Sequence, residues 1–142
     1  MRKTDFVGVW RLESLEFRAS SGERTYPMGM DAAGYLSYTE DGFMSVEIMK
    51  QSRRQYKDND SGGGTIEEKV EAVSGYISYC GAYEVHENQV IHHVEISLFP
   101  NWISVDLIRY YELNGDRLTL STSPYKVEGK EQSAHLVWLR RK

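Results

Sequence analysis

Along almost the whole chain, short runs of alternating apolar and polar residues are separated by clusters of turn-forming residues. Alternation with a period of two is typical of strands that bury one face. Short connections such as Asp41-Gly42 and Asn114-Gly115-Asp116 favour hairpins between consecutive strands. We therefore predict an all-β fold of antiparallel strands, with eight strands at residues 9–17, 34–39, 43–49, 79–85, 89–98, 106–113, 117–122 and 134–140.

The segment between the third and fourth predicted strands has a different pattern. Thr65 followed by Glu68 has the spacing of a helix capping box. Apolar residues then recur at helical spacing, at Ile66, Val70, Val73 and Ile77. The pattern predicts one short amphipathic helix from residue 66 to about residue 76. The linker before it ends in three glycines, and we interpret linker and helix together as a candidate lid over one end of the fold.

The two ends of the chain carry aromatic and cationic residues that suit a closed barrel. Gly8 and Trp10 begin the first strand, and Arg140 ends the last. If these strands pair, the Arg140 cation can lie over the Trp10 indole. Closure also removes the exposed edges of an open sheet. We therefore predict one domain over residues 1–142, an up-and-down barrel in which Gly8, Trp10 and Arg140 form a structural closing contact.

Composition narrows the classes of partner. A net charge of −4, from 17 basic and 21 acidic side chains, gives no support for a nucleic-acid or anionic-membrane partner. Cys80 is the only cysteine, so no intrachain disulfide can form. The first residues lack the apolar run of a signal peptide. We expect a cytoplasmic protein that has no membrane or nucleic-acid partner.

An ordered series of motifs resembles the lipocalin-like domain family. The matching stretches include Phe6-Val7-Gly8-Val9-Trp10-Arg11-Leu12, Gly34-Tyr35-Leu36-Ser37-Tyr38-Thr39, Tyr79-Cys80-Gly81-Ala82-Tyr83, Pro100-Asn101-Trp102 and Leu136-Val137-Trp138-Leu139-Arg140. The resemblance implies a barrel of eight or more strands and small-molecule binding, without a shared substrate. Lipocalins proper are usually secreted and often disulfide-linked, and this chain departs from both properties.

Strand alternation assigns side chains to the barrel interior. In the fifth strand the inward face is predicted to hold Val90, His92, Val94, Ile96 and Leu98. Arg109 and Tyr111 share the inward face of the sixth strand. The first strand is predicted to place Trp10, Leu12 and Ser14 inside.

His92 and Arg109 are the most informative of these inward residues. Burying an unpaired guanidinium costs several kcal/mol, so Arg109 needs a ligand anion, a set of carbonyls or an internal carboxylate such as Glu16. His92 can donate or accept a hydrogen bond near neutral pH. The predicted ligand-binding residues are Tyr38, Tyr83, His92, Arg109 and Tyr111.

Three functions remain open. The leading hypothesis is binding of a small, mostly apolar ligand with an acidic or carbonyl group, without a cofactor or metal, because the four histidines lack metal-ligand spacing. A second is proton-transfer catalysis of isomerase, cyclase or hydratase type, with His92 as acid/base and Arg109 as oxyanion stabiliser. No nucleophile elbow or Cys/His dyad is present, so catalysis is the less favoured hypothesis. The third is a ligand-free interaction module with a filled interior, which includes a homodimer through Ile108 and Tyr110.

Overall fold

The computed structural model describes residues 3–142. Within them, 3₁₀ turns span Lys3–Asp5 and Pro100–Trp102, and one helix, α1, spans Ile66–Ser74. The strands are β1 (Gly8–Ala19), β2 (Arg24–Thr25), β3 (Ala33–Tyr38), β4 (Phe43–Met49), β5 (Tyr76–Val85), β6 (Gln89–Ser97), β7 (Asp106–Asn114), β8 (Arg117–Ser121), β9 (Tyr125–Val127) and β10 (Lys130–Arg140). No helix among these residues is long and apolar enough to cross a bilayer.

Eight of the strands form a closed antiparallel barrel. Each pairs with its neighbour in the order β1, β3, β4, β5, β6, β7, β8, β10, and β10 pairs back with β1. The predicted all-β antiparallel barrel with a single short helix is confirmed. The short strands β2 and β9, which extend β1 and β10, were not predicted. They shift the numbering, so the helix lies between β4 and β5 and not between a third and a fourth strand.

The connections divide the barrel into two ends. The β3–β4, β5–β6 and β7–β8 turns and the first 3₁₀ turn lie at one end, which we call the plugged end. The longer connections, with β2, α1, the second 3₁₀ turn and β9, lie at the other, which we call the open end. Phe6 is fully buried at the plugged end, where its ring meets Tyr38 and Tyr111 edge-on at centroid distances of 5.4 and 4.8 Å. Trp10 Nε1 donates a hydrogen bond to the Phe6 carbonyl at 2.9 Å.

Arg140 joins the two ends of the chain at the plugged end. Trp10 and Arg140 are paired residues of β1 and β10, and the guanidinium carbon lies 4.2 Å from the indole centroid. The guanidinium also donates to the carbonyls of Val7 and Asp5, at 2.7 and 2.8 Å. Gly8 has a φ of 133°, and a Cβ there would lie 3.0 Å from an Arg140 nitrogen. The absent side chain therefore leaves the room that this contact needs.

A β-bulge in β6 changes which residues face the core. Gly81 pairs with Val94 whereas Cys80 pairs with Ile96, so Glu95 is the extra residue of the bulge. The alternation flips after the bulge, and Ile96 is 70% exposed. The prediction that Ile96 and Leu98 face the core is therefore wrong. A Cβ at Gly81 would lie 1.9 Å from the His93 carbonyl oxygen, so the strands cross here too closely for any side chain.

A second bulge acts in the same way in β1. Leu12 pairs with Trp138 and Ser14 pairs with Val137, which leaves Glu13 as the extra residue. Leu15 is buried where Ser14 was expected, so the prediction that Ser14 faces inward is wrong. Both corrections have one cause, because an inserted residue reverses the faces of everything that follows it.

The helix has the predicted capping box but does not bury its apolar face. Glu68 N–H donates to the Thr65 hydroxyl, and Thr65 N–H donates to the Glu68 carboxylate. Ile66, Val70 and Val73 are all exposed. The helix ends at Ser74, two residues before the predicted end.

Candidate ligand-binding cavity

A cavity of ≈ 60 Å³ lies inside the barrel on the side of the open end. Its wall is mostly apolar, with aliphatic side chains from β1, β3, β4, β5, β8 and β10. The polar and aromatic residues of the wall are Phe17, Tyr79, His92, Trp102, Arg109, Thr122, Tyr125 and Trp138. Apolar walls with a few polar groups are typical of small-ligand sites.

His92 lies at the centre of a buried hydrogen-bonded chain. The Tyr38 hydroxyl is 2.7 Å from His92 Nε2, and the Tyr79 hydroxyl is 2.7 Å from His92 Nδ1. The imidazole is 1% exposed, and β3, β5 and β6 carry the three side chains. Both ring nitrogens of His92 are thus engaged by tyrosines that flank it from two other strands.

Burial keeps the three hydrogen-bonded side chains of Tyr38, His92 and Tyr79 uncharged at neutral pH. It lowers the pKa of His92 well below its usual range, and the nearby Arg109 cation lowers it further. Burial also raises the pKa of the Tyr38 and Tyr79 hydroxyls. Arg109 opposes the rise at Tyr79 through its charge and a hydrogen bond. A neutral imidazole carries one proton, so one ring nitrogen of His92 donates and the other accepts.

Arg109 is the cation of the cavity wall, and it has no carboxylate partner among residues 3–142. Its side chain is half-buried, and Nη1 lies 3.4 Å from the Ile108 carbonyl oxygen. Glu16, the internal carboxylate considered from the sequence, instead pairs with Arg18 and Arg24, at 2.9 and 3.8 Å. The guanidinium therefore keeps donors free for another acceptor.

Beside Arg109 the barrel wall has a gap in its strand pairing. Residues 106–109 of β7 pair with β6, but the pairing of β7 with β8 begins only at Tyr110 and Ser121. A groove of ≈ 330 Å³ lies between the start of β7 and residues 122–125. Four residues line both the groove and the cavity, namely Trp102, Arg109, Thr122 and Tyr125. These four side chains therefore separate the cavity from the groove outside.

Comparison with known proteins identifies the family of this barrel. The family model for the lipocalin-like domain matches residues 7–141. The chain belongs to the lipocalin-like domain family. This lipocalin-like domain is also similar to a 4'-hydroxy-3'-methoxypropiophenone carrier protein of Aspergillus oryzae, with 35% identity over 104 residues that cover 67% of this chain and 94% of that protein. No solved structure matches the chain.

Two of the predicted ligand-binding residues of this lipocalin-like barrel lie away from the cavity. Tyr83 donates to the Thr39 carbonyl at 2.6 Å. Tyr111 donates to the His86 and Glu87 carbonyls, at 2.6 and 2.9 Å. Both hydroxyls hydrogen-bond to turns of the plugged end, and neither residue lines the cavity. His92 and Arg109 line the cavity, and Tyr38 reaches it only through His92.

Three residues that line the cavity were not among the predicted ligand-binding residues, namely Tyr79, Tyr125 and Trp102. The signal for Tyr79 was present, since it shares the inward face of its strand with Tyr83. Tyr125 belongs to β9, which is too short for alternation to reveal. The linker and helix at residues 51–76, interpreted as a lid, supply none of the lining residues.

Proposed function

We propose that this domain binds and carries a small, mostly apolar molecule with a carbonyl or acidic group, held in the cavity and the adjoining groove. The observation that carries the proposal is Arg109, a half-buried guanidinium in a mostly apolar wall without a carboxylate partner among the described residues. An acceptor oxygen on a ligand would give this group the partner that the protein does not supply.

The relative of known cargo supports the same chemistry. Its name identifies an aryl ketone, which combines an aromatic ring with a carbonyl oxygen. We infer that a ligand of this class suits the barrel, with the carbonyl near Arg109 and the ring against Tyr125 and Trp102. Aromatic side chains at the mouth give such a ring edge or face contacts.

The sizes of the two spaces indicate how such a ligand would lie. The cavity of ≈ 60 Å³ has room for roughly four waters, which is too little for a whole aryl ketone. The groove of ≈ 330 Å³ meets the cavity at Arg109 and Tyr125. We propose that one end of the ligand enters the cavity while the rest occupies the groove, with small shifts of the four shared side chains.

Carriage is better supported than proton-transfer catalysis. Both nitrogens of His92 are engaged by tyrosines, and its lowered pKa leaves it without the proton that a general acid needs near neutral pH. The interior is also not completely filled by side chains, which favours binding over a ligand-free module.

Calorimetric titration with 4'-hydroxy-3'-methoxypropiophenone tests the proposal. We expect the wild-type protein to bind, and Arg109→Ala to weaken binding by about tenfold or more, because a charge-assisted hydrogen bond is lost. Circular dichroism shows whether the variant keeps its fold. The matched control is Arg117→Ala, since Arg117 pairs with Glu13 on the surface and should leave affinity unchanged. Unchanged affinity in a folded Arg109→Ala protein would remove Arg109 from the site.

A native mass spectrum, compared with the denatured mass, identifies a cargo that differs from this ketone. An adduct that disappears on denaturation supports carriage and supplies a formula. If the protein shows no adduct and no heat with the ketone, the proposed cargo class is wrong.

A further inference from the structure

Each hydrogen bond in the Tyr38–His92–Tyr79 chain has a donor and an acceptor, and the order of donation begins at Tyr38. Tyr38 is 2% exposed, and the only hydrogen-bond partner of its hydroxyl within residues 3–142 is His92 Nε2. Its ring neighbours supply no acceptor, because Phe6 is apolar and the contact with Tyr83 is between the rings, with no hydrogen bond between the two hydroxyls. A buried hydroxyl proton needs an acceptor, so Tyr38 donates to Nε2.

The single proton of the neutral imidazole must then be on Nδ1. That nitrogen lies 2.7 Å from the Tyr79 oxygen and donates to it. Arg109, which also approaches Tyr79, has only donors. The hydroxyl proton of Tyr79 therefore has no acceptor on either of these neighbours, while Tyr79 lines the cavity.

Trp138 gives a second, independent indication. It is 1% exposed and lines the cavity, and its indole Nε1–H has no acceptor among the described residues. The cavity wall thus combines an unpaired indole donor, the donors of Arg109 and the proton of Tyr79. No carboxylate lines this wall to balance them.

We propose that the Tyr38–His92–Tyr79 chain fixes the Tyr79 hydroxyl as a hydrogen-bond donor to the ligand, so that the cavity selects a carbonyl oxygen over a hydroxyl or a methylene at that position. The inference rests on the proposed function, because it specifies the ligand group that the same site takes. A carbonyl oxygen accepts from both Tyr79 and Arg109 without bringing a proton of its own. A hydroxyl brings a proton that finds only donors beside Tyr79, and a methylene leaves the donors unpaired. Donation along the chain also polarises each successive hydroxyl, which strengthens the last hydrogen bond.

The protonation of His92 tests the direction without any ligand. A two-dimensional ¹H–¹⁵N spectrum of the wild-type protein distinguishes a protonated from an unprotonated ring nitrogen, and His92→Gln assigns the signal. We expect Nδ1 to be protonated and Nε2 to be unprotonated. A proton on Nε2 would reverse the chain and overturn the proposal.

Three probes of nearly equal shape test the selectivity, namely propiophenone, 1-phenylpropan-1-ol and propylbenzene. We expect wild-type protein to bind the ketone roughly tenfold more tightly than the alcohol or the hydrocarbon, because only the ketone satisfies both donors. Tyr79→Phe should reduce this preference severalfold and leave propylbenzene affinity unchanged. The control is Tyr35→Phe, an exposed tyrosine on the outer face of β3, which should keep the full preference.

The outcomes separate the inference from the proposed function. Equal affinity of the three probes, or an undiminished ketone preference in Tyr79→Phe, overturns the selectivity while carriage stands. Failure of all three probes to bind overturns the proposed aryl-ketone cargo and the selectivity together, while the spectrum still decides the direction of the hydrogen-bonded chain. If Tyr79→Phe does not fold, the wild-type probe series and the spectrum remain decisive.

Discussion

The two ends of the barrel use the same kinds of side chain for different purposes, and their arginines show this best. At the plugged end Arg140 lies over Trp10 and donates to two backbone carbonyls and to Asp116. At the open end Arg109 has one backbone acceptor, the Ile108 carbonyl at 3.4 Å, and approaches the Tyr79 hydroxyl, so it lacks the set of carbonyl and carboxylate partners that Arg140 has. A guanidinium whose donors are satisfied within the chain contributes to stability, whereas one left with free donors is available to a ligand. We therefore expect stability and ligand binding to depend on opposite ends of one barrel.

The largest expected effect is the difference in stability lost when a tryptophan at each end is replaced by alanine. Trp10→Ala removes a fully buried ring and the donor to the Phe6 carbonyl, so we expect the free energy of unfolding to fall by about 3–5 kcal/mol. Trp102→Ala, at the partly buried rim of the cavity, should cost less than half as much and should weaken ligand binding. Urea denaturation measures both. Equal losses of stability would contradict the separation of roles between the ends.

The next largest effect is the difference in stability lost when Arg140 or Arg109 is replaced by methionine. Arg140→Met leaves the Val7 and Asp5 carbonyls without their donor and removes the contact over the indole, which we expect to lower the free energy of unfolding by about 2–4 kcal/mol. Arg109→Met breaks no ion pair and should change stability by only about 0.5 kcal/mol or less. Chemical denaturation of the two variants in parallel makes the comparison direct. A marked loss of stability in Arg109→Met would show that its donors serve the fold after all.

The smallest expected effect is the pH dependence of the free energy of unfolding that His92, which lies between the two ends, produces. The pKa of His92 is lower in the folded protein than in the unfolded chain, so its contribution to stability is complete above the unfolded pKa and is lost as the pH falls. From about pH 6.5 to about pH 5.5 we expect His92 to reduce the free energy of unfolding by about 1 kcal/mol. Thermal or urea unfolding of wild type and His92→Gln across this range measures the difference.

The other histidines serve as internal controls for that measurement. Burial lowers the pKa of His135 as well, so it contributes in the same direction. Asp106 raises the pKa of the surface His93, which contributes in the opposite direction, as stability lost when the pH rises. His135→Gln should therefore retain most of the acid sensitivity that His92→Gln removes. If His92→Gln keeps the full sensitivity, the buried imidazole is not its source.

Alternation and end-of-chain motifs were sufficient to predict the barrel, its single helix and the inward position of His92. They could not reveal the bulges at Glu13 and Glu95, because the residues on both sides of each bulge still alternate and only the pairing shows the insertion. Two short strands were missed since two or three residues carry no periodicity.

The candidate site was harder to predict because alternation gives the face of a residue but not its height along the barrel. Tyr83 and Tyr111 do belong to inward faces, yet the stagger of the strands places their hydroxyls at the turns of the plugged end. Arg109 lies opposite Val90 and not opposite His92 in the ladder. It reaches the cavity through the length of its side chain, which no strand pattern records.

The gap between β7 and β8 has a consequence for how fast cargo can exchange. Residues 106–109 pair with β6 alone, so a movement of residues 122–125 away from them breaks no pairing between β7 and β8. Local opening of such a segment requires far less free energy than global unfolding. We therefore expect a ligand of the proposed class to enter and leave by this gap on the timescale of loop motion.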